Sequence, residues 1–158
     1  MQRPHYFAKR RPADVNYETP GWLYDLLDRE FHFTHDLAAV KENAKAPFFR
    51  NSLRVDWHKL DGWLWLNPPF AGIRQWIEKA AREARLGAKI VVLVPATVLG
   101  APYMSDCHPR TVRFVSRCPT FRNTFTGKVV RFMPVLLIYG ARERGLSFAY
   151  QPLEAARG

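Results

Sequence analysis

Trp63-Leu64-Trp65-Leu66-Asn67-Pro68-Pro69-Phe70 is the stretch on which the reading of this chain turns. Trp63 to Leu66 form an apolar run of strand length, and the prolines behind it have no backbone N–H for a continuing sheet. A strand therefore stops at Asn67, leaving an amide and an aromatic ring at its carboxyl end. In open α/β sheets ligands bind beyond that end. The residue types suit a planar exocyclic amine: the Asn67 side-chain oxygen and the Pro68 carbonyl can each accept one N–H, while Phe70 stacks on the attached ring. An amine held with its protons out of the ring plane has a lone pair freed for alkylation. A second reading stays open on these residues alone, a chain-terminating Pro-Pro turn with Phe70 in the core.

Working outward, Ala71-Gly72 leads into an amphipathic helix with Ile73, Trp76, Ile77, Ala80, Ala81 and Ala84 on one face and Gly87 as its stop. Lys89 to Pro95 follow as a near-continuous apolar strand of the kind found in parallel sheets. Strand, helix and strand together predict a right-handed crossover whose carboxyl ends share one rim. Upstream, Thr19 is a predicted N-cap with Pro20 at the first helical position, and Trp22, Leu23, Leu26, Leu27 and Phe31 keep helical spacing. Phe31 to Leu37 alternate as a strand that ends in Asp36-Leu37-Ala38-Ala39, an acid followed by small residues. Thr111–Val115 and Val130–Tyr139 read as two further strands, linked by a basic hairpin from Ser116 to Lys128, with Pro134 marking a bulge or a late start. The fold class expected is a compact α/β domain with a mostly parallel sheet and a C-terminal antiparallel hairpin.

The 158 residues make one domain, large enough to bury a core without staples. Residues 1–16 read as a basic arm containing Arg10 and Arg11, residues 17–142 as the domain, and residues 143–158 as a polar tail. Cys107 and Cys118 form no Cys-x-x-Cys pair, so neither a disulfide framework nor a metal site is expected, and reduced thiols suit a cytoplasmic protein. No apolar run reaches membrane-span length, and the amino terminus lacks the apolar core of a signal peptide. The formal charge of +10 is the strongest bulk signal and points to a polyanionic partner, nucleic acid first. It is concentrated: no acidic residue lies between Cys107 and Arg142, a stretch that holds Arg110, Arg113, Arg117, Arg122, Lys128 and Arg131. Arg122, Asn123 and Lys128, with Arg10 and Arg11 of the arm, are the candidate groups facing DNA.

The ordered blocks Tyr17-x-Thr19-Pro20, Phe31-x-Phe33-x-x-Asp36-x-Ala38-Ala39, Asn43-Ala44-Lys45, Trp63 to Phe70, Trp76-Ile77-x-Lys79-Ala80 and Val91 to Pro95 resemble the small phage-type, Dam-like DNA N6-adenine methyltransferases. They run in order from about Tyr17 to Tyr139. The resemblance implies a Rossmann-like, S-adenosylmethionine-dependent fold acting on double-stranded DNA, with a role in evading restriction. By position it implies that Asn67, Pro68, Pro69 and Phe70 bind the target adenine amine. Tyr17, Thr19, Pro20, Asp36, Leu37 and Ala38 correspond to cofactor-binding segments, and Asp56 to a contact with the cofactor adenine. Two features depart from larger methyltransferases: no glycine-rich turn follows Asp36, and Glu42 is the only candidate for a ribose-binding acid. The alternatives are an RNA adenine or protein glutamine methyltransferase, or a non-catalytic basic nucleic-acid-binding protein with this type of fold.

Overall fold

The computed structural model describes residues 16–140 and the backbone of residues 147–150. The expected basic arm with Arg10 and Arg11, and most of the expected polar tail, lie outside the described residues. Nine strands and two α-helices are described: β1 (Tyr17–Glu18), α1 (Gly21–Phe31), β2 (Phe33–Asp36), β3 (Trp63–Leu66), α2 (Ile73–Arg85), β4 (Lys89–Pro95), β5 (Thr111–Phe114), β6 (Thr120–Asn123), β7 (Val129–Arg131), β8 (Pro134–Tyr139) and β9 (Ser147–Tyr150).

The strand order β2-β3-β4-β8-β5-β9 makes one six-stranded sheet, and β1-β6-β7 makes a second, three-stranded one. The pairs β2–β3, β3–β4 and β5–β9 are parallel, whereas β8 runs antiparallel to both β4 and β5. The small sheet is antiparallel throughout. This corrects the mostly parallel, Rossmann-like expectation: the chain is mostly β, in a mixed sheet and an antiparallel one. The reason lies in what an apolar run reports. All six residues of β8 are buried, and burial on both faces produces a continuous apolar run whichever way a strand points.

The parallel β3–α2–β4 unit stands as expected, with Trp63 level with Lys89 and Leu66 with Val92. Alternate residues of the central strands face opposite helices. On one side Leu64, Leu66, Ile90, Val92 and Leu137 pack against Trp76, Ile77 and Ala80 of α2. On the other, Trp65, Val91, Leu93 and Leu136 pack against Leu23, Tyr24 and Leu27 of α1. Two buried charges on α2 are satisfied locally: Lys79 Nζ lies 2.7 Å from Glu83 Oε1 and 4.7 Å above the Trp57 ring, and His58 Nδ1 lies 2.6 Å from Glu83 Oε2. These contacts fasten the short 3-10 turn Trp57–Lys59 onto α2.

Local boundaries shift in three places. Pro20, not Thr19, is the N-cap of α1, and no side chain caps that end. Phe31 closes α1 instead of opening a strand, the turn being made by His32 in the left-handed region at φ 54°. The run Val130–Tyr139 is two strands, because the chain leaves the small sheet after Arg131 and enters the large one at Pro134. The backbone of Ser147–Tyr150, within the stretch read as tail, adds β9 beside β5.

Candidate active site

The carboxyl ends of β2 and β3 meet at one rim, with Asp36 level with Trp65 and the Leu37 N–H donating to the Trp65 carbonyl at 2.8 Å. Asn67 therefore projects one step beyond the end of β3, next to the end of β2. Its Nδ2 donates to the Tyr17 carbonyl at 2.8 Å and to Thr19 Oγ1 at 3.1 Å. Those two acceptors saturate both amide protons, which leaves Oδ1 as the remaining acceptor. Among the described residues nothing donates to it.

Asn67, Pro68, Pro69 and Phe70 line a cavity together with Tyr17, Glu18, Thr19, Asp36, Ala38 and Lys45. Asp36 is 4% exposed. Burial pushes its carboxyl up to about 6, against the opposing pull of the Lys45 and Ala38 backbone N–H groups and the Lys45 charge. The Lys45 N–H donates to Asp36 Oδ2 at 3.2 Å. A carboxylate this poorly solvated gains most from a cationic partner.

A second cleft, of about 480 Å³, lies on the other side of the Tyr17 and Phe70 rings and is lined by Lys128, Val130, Arg131 and Phe132 among others. Tyr17 stacks on Phe70 at 5.5 Å and 27°, and Phe132 meets Phe70 edge-on at 5.3 Å and 76°. Phe132 is in turn stacked on the buried Phe121 at 4.1 Å. The break between β7 and β8 places Phe132 there, since Pro95 is level with Pro134 and the Ala96 N–H donates to the Met133 carbonyl at 2.8 Å.

Of the residues singled out by sequence, the structure brings together Tyr17, Thr19, Asp36, Ala38 and Asn67 to Phe70. Pro20 accepts from the Leu23 and Tyr24 N–H groups as the N-cap of α1. Leu37 is 1% exposed and belongs to the α2-side core. Asp56 lines neither cleft; it caps the 3-10 turn beside α2 and pairs with Lys59 at 2.7 Å. Arg122 and Lys128 are exposed on the β6–β7 hairpin, whereas Asn123 is buried and its Oδ1 accepts from the Phe125 and Thr126 N–H groups, both at 2.9 Å. Arg113 is engaged by Glu30, with Nη1 and Nη2 at 2.7 and 2.6 Å from its two oxygens.

Sequence reading gave no role to Glu18, Lys45, Arg131 or Phe132. Lys45 lies in the Asn43-Ala44-Lys45 block that the family resemblance covers, which is its sequence signal. Phe132 was hidden because the run around it read as one strand. Among the described residues, no group of His, Cys, Asp and Glu could hold a metal ion, and no helix is long and apolar enough to cross a membrane.

An amide acceptor and an aromatic ring thus stand at a strand end, beside a buried carboxylate and a basic hairpin. The family model for DNA N-6-adenine-methyltransferase (Dam) matches residues 9–125, and the chain belongs to that family. It is 27% identical over 132 residues to the DNA N-6-adenine-methyltransferase of Haemophilus phage HP1, covering 77% of this chain and 73% of that relative.

Proposed function

We propose that the protein is a DNA adenine N6-methyltransferase that draws its methyl group from S-adenosylmethionine and acts on an adenine rotated out of the duplex. The observation that supports this most is the Asn67 amide, whose N–H groups are committed to Tyr17 and Thr19 so that Oδ1 is free to accept beside Phe70. In this reading Asn67 Oδ1 and the Pro68 carbonyl receive the adenine amine, and the Phe70 ring stacks on the base. Asn67 accepts hydrogen bonds and has no basicity to remove a proton; the proton passes to water after the methyl bond has formed. Catalysis is then mainly orientation of the amine toward the donor.

S-adenosylmethionine supplies an electrophilic methyl on a positively charged sulfur. The residues of the first cavity fit it: Asp36 offers a desolvated carboxylate to a cationic ligand, and Ala38 and Ala39 leave the backbone approachable. A ligand without a pyrophosphate needs no glycine-rich cradle. The cavity is a narrow slot of about 20 Å³, so a nucleoside requires its walls to part. The wall built from turns, residues 38–45, is the one that yields in this reading, because β1 is paired to β6 on the opposite side.

The second cleft, which shares the Phe70 ring with the first cavity, is the side from which the rotated base reaches Phe70, and Phe132 braces that ring edge-on. Arg122, Lys128 and Arg131 contact phosphates, and Arg10 and Arg11 extend that contact. The phage origin of the relative supports a role in shielding DNA from restriction. Labelled S-adenosylmethionine offered with duplex DNA, RNA or protein tests the substrate. Label is expected in duplex DNA; label confined to RNA or protein would overturn the DNA assignment.

A further inference from the structure

We propose that the Thr19 hydroxyl and the Tyr17 carbonyl form a receptor for the Asn67 NH2 group, and that Thr19 is a positioning residue for amine capture rather than a cofactor contact. The proposal rests on the methyltransferase reading above. An asparagine amide can present either its oxygen or its NH2 to a substrate, and only the oxygen is complementary to an amine N–H. With the amide turned over, N–H would face N–H and the amine would not be held. The choice is set behind the amide. A backbone carbonyl can only accept, so the atom 2.8 Å from the Tyr17 oxygen must be Nδ2, whichever way the Thr19 hydroxyl turns.

The receptor is itself anchored. Tyr17 is level with Asn123 and Glu18 with Arg122 in the antiparallel β1–β6 pair, and the Thr124 N–H donates to the Asn16 carbonyl at 2.9 Å. Thr19 is 4% exposed, and because α1 has no side-chain cap its hydroxyl is not spent on the helix end. One acceptor holds the amide to the backbone; the second stops rotation about that single contact. Without the hydroxyl one part-buried amide proton loses its partner and the direction of Oδ1 is less tightly held.

Thr19→Val keeps the shape and removes the acceptor, and Thr19→Ser keeps the acceptor. At saturating cofactor and duplex DNA, the valine variant is expected to lose about tenfold or more in kcat, with the Kd for S-adenosylmethionine and for DNA within about twofold of wild type. The serine variant is expected to recover to within about threefold of wild type. In ligand-free, 15N-labelled protein, the two Asn67 side-chain NH2 resonances should stand apart and exchange slowly in wild type and in Thr19→Ser, and collapse toward free-amide behaviour in Thr19→Val. Should the valine variant fail to fold, Thr19→Ala reads the same split. Unchanged kcat, or a loss carried wholly by cofactor Kd, overturns the proposal. A wild-type protein that transfers no methyl, while its amide resonances still respond to Thr19, overturns the methyltransferase reading instead.

Discussion

Asn67 and Asp36 end neighbouring strands under opposite conditions, the amide fully engaged on its N–H side and the carboxylate short of solvation. Asn67→Ala is expected to reduce methyl transfer by about a hundredfold or more while duplex binding by filter or anisotropy assay survives, because surface charge supplies the affinity. Asp36 makes a pH prediction. Its carboxyl is raised from an ordinary 3.8 to about 6, so the fold prefers the protonated form. The stability this contributes is fully present below about pH 4 and is lost as the pH rises through about 6, a cost on the order of 3 kcal/mol at neutral pH. Asp36→Asn should therefore raise the melting temperature of the free protein at pH 7.5 and leave it nearly unchanged at pH 4. Cofactor binding runs the other way: in wild type it should weaken by roughly tenfold per pH unit below about 6, and in Asp36→Asn it should be weak and flat across that range. At this scale the candidate residues could be picked out because chemistry resides in types, as with Asn67 before Pro68. The position of Asp56 away from both clefts could not, since only tertiary packing seats it beside α2.

The β6–β7 hairpin is the element that carries free cationic charge toward the second cleft. Asn123 stiffens its turn through two bonds from Oδ1, and Gly127, at φ 70°, returns its N–H to the Asn123 carbonyl at 3.0 Å. Arg122→Ala and Lys128→Ala should each reduce the slope of log affinity against log salt by about 1, with cofactor binding unchanged in a titration. Arg113→Ala should leave that slope alone and lower stability instead, because its guanidinium is engaged by Glu30. The helix α2 could be read from sequence because it repeats one period over several turns, and the strands β3 and β4 because each is an unbroken apolar run. The two-residue β1 is too short to show a period, and Pro134 flags the late start of β8 but not the change of sheet at Phe132-Met133. The pairing of β1 with the hairpin was accordingly invisible, and with it the tie between the hairpin and the Asn67 receptor.

For the whole molecule, the decisive pairing is β4 with β8, which turns the sheet from parallel to mixed. Strand direction is fixed by how ends meet, and one end is set by Gly140. Its φ is +94°, and a Cβ there would lie 2.4 Å from the Ala88 carbonyl oxygen and 2.8 Å from Lys89 Cα. Gly140→Ala should cost at least about 2 kcal/mol in urea unfolding, because the atoms met are backbone of Ala88 and Lys89 and the φ disfavours a side chain. Apolar patterning revealed which segments are buried on both faces, and so gave the layers; the direction of β8 depends on a long-range meeting of chain ends that no local pattern records. The proposed site does not depend on the direction of β8, because it rests on the parallel β2–β3 rim and the aromatic corner at Phe70. The most direct test of the account is mass spectrometry of nucleosides from unmethylated duplex DNA incubated with the protein and S-adenosylmethionine. N6-methyladenine is predicted with wild type and, at a rate lower by about a hundredfold or more, with Asn67→Ala; wild-type samples containing no methylated adenine, or equal amounts from both proteins, would contradict it.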